Sequence, residues 1–304
     1  MRRVLVTGAH GFIGRHVARR LAARGDRVTG LGHGDWDPPS WRSWGLSEWI
    51  CADVTPEALA AWDGAPEVII HCAGSASAPF SLADPAEDFR RTVDTTLAVL
   101  EFARLRAPGA ALVLTSSAAV YGDVALQPIP VEAPLQPRSP YGVHKRMMED
   151  LGLEYAALFG LRVARVRLFS VFGAGLRKQL LWDACRKLTA GETVFAGDGA
   201  ETRDWLHVED AAELLALAAL HASPTCPVVN GGRGAGVSVR EVLDRVAKRL
   251  GSRSAPRFTG VGRPGDPRHF RAEIDAALAW GWSPSRDLDT ELDAYVDWYL
   301  QGGA

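Results

Sequence analysis

The segment Thr7-Gly8-Ala9-His10-Gly11-Phe12-Ile13-Gly14 constrains this chain more than any other. A short apolar run, Val4-Leu5-Val6, leads into it. Residues 12–24 follow, with Ile13, Val17, Ala18 and Leu21 on one helical face. Gly25-Asp26 stops that helix, and residues 28–31 read as a second strand. Strand, glycine loop, helix and strand in this order begin a parallel, doubly wound α/β sheet. The glycines permit a tight turn and close backbone approach, and the helix N–H groups behind them suit a pyrophosphate.

The alternation continues along the chain. Strands are expected at 49–52, 67–71, 111–115 and 163–168, and helices at 55–62, 84–106 and 140–159. Val68-Ile69-Ile70 and Leu112-Val113-Leu114 have the uniform apolarity of strands buried on both faces. Past residue 170 the regularity weakens. Helices are expected at 176–190, 208–222, 238–250 and 287–300, with short strands near 193–196 and 227–229. This gives a dinucleotide-binding domain over 1–170 and a smaller lobe over 171–304, interleaved with it and covering the carboxyl edge of the sheet. Trp36, Trp41, Trp44 and Trp49 crowd one segment, which reads either as an excursion packing its own tryptophans or as a lid or partner patch.

Lys and Arg number 34 against 36 Asp and Glu, so no basic footprint for nucleic acid is present. Cys51, Cys72, Cys185 and Cys226 form no CxxC pair, and no histidine pair has metal-ligand spacing, so no metal site is expected. In a chain this long they read as free thiols in a reducing cytoplasm. No run of about 18 apolar residues predicts a membrane span. No secretory leader is expected, because the run Val4–Val6 ends at Thr7-Gly8.

A dinucleotide fold of this kind commonly carries an acid at the end of the second strand, about 20 residues past the glycine loop, to bind the adenosine ribose. Here that position is Gly32, followed by His33 and Gly34. The gap removes an acceptor for the ribose 2′-hydroxyl and also the repulsion of a 2′-phosphate. His33 could help bind that phosphate, while Asp35 or Asp37 could replace the acid if the loop folds back. NAD is expected, with NADP open.

Tyr141 and Lys145 are four apart at the start of the 140–159 helix and share a face. A phenol is a poor base at neutral pH, and a neighbouring ammonium together with a cationic nicotinamide would lower its pKa. Ser117, at the end of the 111–115 strand, can hold the reacting hydroxyl or carbonyl. Ser117, Tyr141 and Lys145 are therefore the catalytic candidates.

With these motifs the chain resembles the extended short-chain dehydrogenase/reductase family of nucleotide-sugar epimerases, dehydratases and ketoreductases. The resemblance spans essentially the whole chain. It includes residues 7–14, Asp53-Val54, His71-Cys72-Ala73-Gly74, Ser116 to Gly122, Ser139-Pro140-Tyr141-Gly142 with Lys145, Arg167-Leu168-Phe169, Gly197-Asp198-Gly199, Thr202-Arg203-Asp204, His207 to Asp210 and Arg263-Pro264-Gly265-Asp266. It implies a Rossmann-type sheet with a C-terminal substrate-binding lobe. It implies that Gly8, His10, Gly11, Phe12, Ile13, Gly14, His33, Asp53, Val54, Ala73 and Gly74, together with Tyr141 and Lys145, bind the cofactor. Ser117, Ser170, Phe195, Arg203, Arg263 and Asp266 are implied to face a nucleotide-diphosphate sugar, with both arginines on the diphosphate. Ser170 stands where the family has asparagine, as does Thr92. Phe195 lies one place before the usual aromatic position, which is Ala196.

Sugar 4,6-dehydratases of the family carry Asp-Glu where this chain has Ala118-Ala119, so elimination, which needs a placed acid and base, is disfavoured. The expected activity is 4-epimerisation through a transient 4-keto sugar. The alternative is NAD(P)H-dependent reduction of a 4-keto sugar, and a remoter one is a dinucleotide-binding regulator without turnover. The resemblance also implies a homodimer, joined through helices 84–106 and 140–159 by apolar positions such as Leu97, Leu100, Met147 and Leu151.

Overall fold

The computed structural model describes residues 1–262 and 267–303. The first half runs β1 (Arg3–Thr7), α1 (Phe12–Ala23), β2 (Arg27–Gly32), α2 (Pro38–Ser43), β3 (Leu46–Cys51), α3 (Pro56–Ala61), β4 (Val68–His71), α4 (Ala78–Ala83), α5 (Pro85–Phe89), α6 (Thr95–Arg106), β5 (Ala111–Ser117), α7 (Pro140–Phe159) and β6 (Arg162–Leu168). The second half runs β7 (Ser170–Phe172), α8 (Gln179–Thr189), β8 (Val194–Phe195), β9 (Thr202–His207), α9 (Val208–His221), β10 (Val228–Gly231), β11 (Gly236–Ser238), α10 (Val239–Leu250), β12 (Arg257–Phe258), α11 (Asp275–Ala279) and α12 (Leu288–Trp298).

Seven parallel strands form one sheet in the order β10-β6-β5-β4-β1-β2-β3. This is the doubly wound order with one strand added beyond β6. Successive strand residues serve opposite faces. Val4, Val6, Ile70, Val113 and Val166 pack with Val17 and Leu21 of α1 and Leu214 and Leu215 of α9. Leu5, Ile69, Leu112 and Leu114 pack instead with Leu100 and Phe102 of α6 and Met148 and Tyr155 of α7. Glu209 of α9 bonds His16 at 2.6 Å and also Arg19, and Glu213 pairs with Arg20 and Arg24, which fastens α9 to α1. A third core, including Phe172, Leu181, Trp205, Leu243 and Tyr295, organises the second lobe.

The structure alters several expectations. The single helix over 84–106 is instead α5, a π-helical turn over Arg90–Asp94, and α6. Threonine hydroxyls accompany the change of register, because Thr95 and Thr96 donate to the carbonyls of Arg91 and Thr92, each at 2.6 Å. The helix expected from 176 begins at Gln179, preceded by Lys178 in an extended conformation. Strand β9 was not legible, because Thr202, Arg203 and Asp204 are polar and no alternation marks them. Its Asp204 is fully buried and accepts from the backbone N–H groups of Arg233, Gly234 and Ala272. Within the stretch 171–304, expected to be interleaved with the first domain, α9 packs on the large sheet and β10 forms its edge. Leu100 was expected at the surface and is fully buried against the sheet, and Leu151 is half-buried. Leu97 and Met147 are exposed, at 41% and 40%.

Candidate active site

The order β4-β1-β2 puts a topological switch point between β1 and β4, where Thr7 lies beside His71. Ligands of doubly wound sheets bind in the crevice at such a point. The glycine loop occupies it. A Cβ on Gly8 would stand 2.6 Å from the backbone nitrogen of Ala73, and one on Gly14 would stand 2.2 Å from the carbonyl oxygen of Gly8. Gly8 also has a φ of +69°, which other residues rarely adopt. Helix α1 starts after Gly11 at its N-cap, with no side-chain cap and no acid in its first turn. These unclaimed N–H groups, reached over bare backbone, fit a dinucleotide pyrophosphate.

From this loop a cavity of about 1130 Å³ runs across the carboxyl edge of the sheet. Gly8, Gly11, Phe12, Ile13, Gly14 and Gly74 line one end. Ser117, Tyr141 and Lys145 stand in its wall, and Ser170, Phe195 and Arg203 line it on the side of the second lobe. Arg203 lies on β9 and donates to the carbonyl of Thr202 at 2.9 Å. Arg263 and Asp266 lie outside the described residues.

Strand β5 ends at Ser117, and α7 begins at Pro140, capped by Ser139. That geometry delivers Tyr141 and Lys145 from the first turns of α7. Lys145 is buried, donating at 2.9 Å to the carbonyl of Thr115, and burial lowers its ammonium to about 8. Tyr141, in the first turn, is half-buried. Burial raises its pKa, hydrogen bonding with Ser117 opposes that, and the Asp88 charge adds to it.

His71, fully buried, joins the glycine loop to α6. Its Nδ1 lies 2.7 Å from the Thr7 hydroxyl and its Nε2 lies 3.1 Å from the Thr96 hydroxyl. Thr96 already donates to Thr92, so it accepts from Nε2–H, and Nδ1 accepts from Thr7. Burial lowers the imidazole to about 3, keeping it neutral. One turn beyond Lys145, Glu149 accepts Ser116 at 2.5 Å, Arg165 at 3.2 Å and Arg167 at 2.7 Å. Arg167 continues to Tyr121, which donates to Asn230 of β10. Helix α7 is thus tied to β5, β6 and the sheet edge by satisfied buried polar groups.

His10, His33, Asp53, Val54 and Ala73 follow the carboxyl ends of β1, β2, β3 and β4, outside the cavity lining. His10 Nδ1 meets the carbonyl of His33 at 3.3 Å, and its ring stacks on Trp36 at 4.8 Å. Trp49 packs edge-on to Trp36 at 5.3 Å. A Cβ at Gly32 would lie 3.1 Å from the Trp49 ring. Trp44 packs beneath Arg19 at 4.5 Å, and Trp41 is buried in the core. The tryptophans therefore pack on α1, the core and each other. Asp37 caps α2 by accepting from the Ser40 backbone N–H through one carboxylate oxygen. His33, Asp35 and Asp53 are exposed. Sequence reasoning passed over Lys178 and Gln179, which line the cavity where α8 begins. Burial lowers the Lys178 amine, and Gln179 has a φ of +68°. The only sequence signal there was a lysine following Gly173 and Gly175.

A doubly wound sheet with an uncapped glycine loop at its switch point, opening onto a half-buried tyrosine beside a buried lysine, defines a dinucleotide-dependent enzyme of the Rossmann type. The match to the model of the NAD dependent epimerase/dehydratase family covers residues 4–230, and the chain belongs to that family. It is 32% identical to a UDP-glucose 4-epimerase of Azospirillum brasilense, over 97% of this chain and 91% of the relative. It is 28% identical to UDP-glucuronate 4-epimerase 1 of Arabidopsis thaliana, over 98% of this chain and 76% of that one. Among solved structures it resembles the UDP-glucose 4-epimerase of Thermotoga maritima with UDP-glucose, at a TM-score of 0.88 and 25% identity, over 99% of both chains. It also resembles MoeE5 with UDP-glucose and NAD, at 0.87 and 29%, over 99% of this chain and 100% of that one.

Proposed function

We propose that this protein is a nucleotide-sugar 4-epimerase acting on a UDP-hexose or UDP-hexuronate with NAD. One observation carries the reading: a single cavity holds the glycine loop, the Ser117–Tyr141–Lys145 group and Arg203. The names of the relatives above support the uridine nucleotide.

Bound NAD supplies a hydride acceptor that returns the hydride within the same turnover. The residues of this chain supply the rest. Gly8, Gly11 and Gly14 admit the pyrophosphate to the backbone. Tyr141 takes the proton from the C4 hydroxyl and gives it back, and Ser117 holds that oxygen. Lys145, one helical turn on, keeps a positive charge beside the reacting group. Arg203 holds the diphosphate. No carboxylate stands at Gly32 to repel a 2′-phosphate, so the choice of NAD over NADP rests on the family's cofactor. Exposed Leu97 and Met147 support a homodimer through α6 and α7, and the four free thiols support a cytoplasmic setting.

The test is turnover of UDP-glucose, UDP-galactose and UDP-glucuronate by the purified protein and by Tyr141→Phe. The parent should interconvert C4 epimers without consuming cofactor, and denaturing it should release oxidised NAD identifiable by mass. The variant should lose activity by about 10²–10⁴-fold with its fold intact. Turnover only of 4-keto sugars, strictly dependent on added NADPH, would make the protein a ketoreductase instead.

A further inference from the structure

Asp88 of α5 is completely buried. A carboxylate removed from water needs both its oxygens and its charge satisfied. One oxygen is satisfied, since Oδ2 lies 2.5 Å from Nδ1 of His144, itself buried on α7. Oδ1 is shut off from solvent with no hydrogen-bond partner in the structure.

His144 lies between Tyr141 and Lys145 in sequence, and α5 packs on α7. The Asp88 carboxyl therefore lies against the turn of α7 that carries both Tyr141 and Lys145. It helps Lys145 keep its proton against burial, and it opposes ionisation of Tyr141. Other groups around the couple are already balanced. Glu149 on α7 is paired with Arg165 and Arg167. Cys72, after β4, has its thiol raised by burial to about 11, and His71 on β4 is neutral. Arg138, ahead of α7, faces Asp123 at 3.9 Å. Among these described groups Asp88 is the anion without a guanidinium partner.

We propose that Asp88, anchored by His144, is a positioning residue that sets the pH window in which the Tyr141–Lys145 couple works. This rests on the reading of Tyr141 and Lys145 as the catalytic couple. Removing the Asp88 charge lets the phenol ionise, and the ammonium lose its proton, at lower pH. Both limbs of the activity profile then move to the acid side.

The experiment is the pH dependence of kcat/KM for the parent, Asp88→Asn and the double variant Asp88→Leu/His144→Leu. The double variant removes the pair without leaving a lone buried charge, an exchange buried ion pairs often tolerate. In parallel, the near-ultraviolet tyrosinate absorbance of Tyr141 is titrated by difference against Tyr141→Phe, which needs no turnover. The expected result is displacement of both limbs, and of the tyrosinate titration, to lower pH in either variant, with Asp88→Glu restoring the parental window. A uniform loss of activity with limbs and titration at their parental positions would overturn the proposal and leave the pair a packing element. Tyr141→Phe turning over within about twofold of the parent would instead remove the catalytic reading beneath it, since general acid–base groups contribute far more.

Discussion

The ammonium of Lys145 donates to the carbonyl oxygen of Thr115 at 2.9 Å, joining α7 to the strand that carries Ser117 two residues later. The bond holds the lysine where water is excluded, and that exclusion has consequences for both stability and chemistry.

Lys145 titrates near 8 when folded and near 10.4 when unfolded. The unfolded chain therefore binds more protons between those values, and stability rises with pH across that window. Below about 8 the burial cost is present in full. Lys145→Met should raise Tm at pH 7 while removing turnover, and its advantage should shrink as pH rises from about 8 to about 10.5. Thermal melts across that range check the prediction, and a variant less stable than the parent at pH 7 contradicts it.

His71 has the same sign in a different range. Its folded pKa of about 3 lies below the unfolded value near 6.5, so stability is lost as pH falls from about 6.5 toward 3. His71→Gln should flatten that loss while destabilising the protein at neutral pH, because the links to Thr7 and Thr96 are disturbed. Urea midpoints at pH 4 and pH 7 measure both effects.

Gly14→Ala places a methyl group 2.2 Å from a backbone oxygen that has no freedom to retreat. Overpacking of this kind costs about 1–3 kcal/mol. Dinucleotide affinity should fall by about tenfold or more, measurable by calorimetry. A variant that binds NAD like the parent would show that the loop does not carry the pyrophosphate.

Arg203→Ala should weaken nucleotide-sugar binding by about 1.5–3 kcal/mol, the usual contribution of a hydrogen bond to a charged group. NAD affinity should hardly change. Titration with UDP-glucose and with NAD separates the two, and equal losses for both ligands would indicate a collapsed cavity instead of a lost phosphate contact.

The dimer reading predicts that Leu97→Glu with Met147→Glu yields a monomer. Both side chains are exposed at α6 and α7, and a charge on each would have to be buried in the pairing. Sedimentation of parent and variant at micromolar concentration decides it.

The sequence by itself determined the large sheet, because its buried parallel strands are continuous apolar runs and its first connection is punctuated by glycines. It also determined the residues of the glycine loop and the Tyr141–Lys145 spacing, since local turns and helical periodicity are written in short stretches of chain. The tertiary structure alone decided what depends on removal from water or on distant neighbours. It buried Leu100, withdrew Lys145 from water, and set Asp88 of α5 against His144 of α7, 56 residues apart. It returned α9 and β10 to the sheet and made a strand of Thr202–His207, whose Asp204 is satisfied by backbone 29, 30 and 68 residues away. Periodicity reports the face a residue presents, whereas charge and strand pairing are settled by what the folded chain brings opposite it.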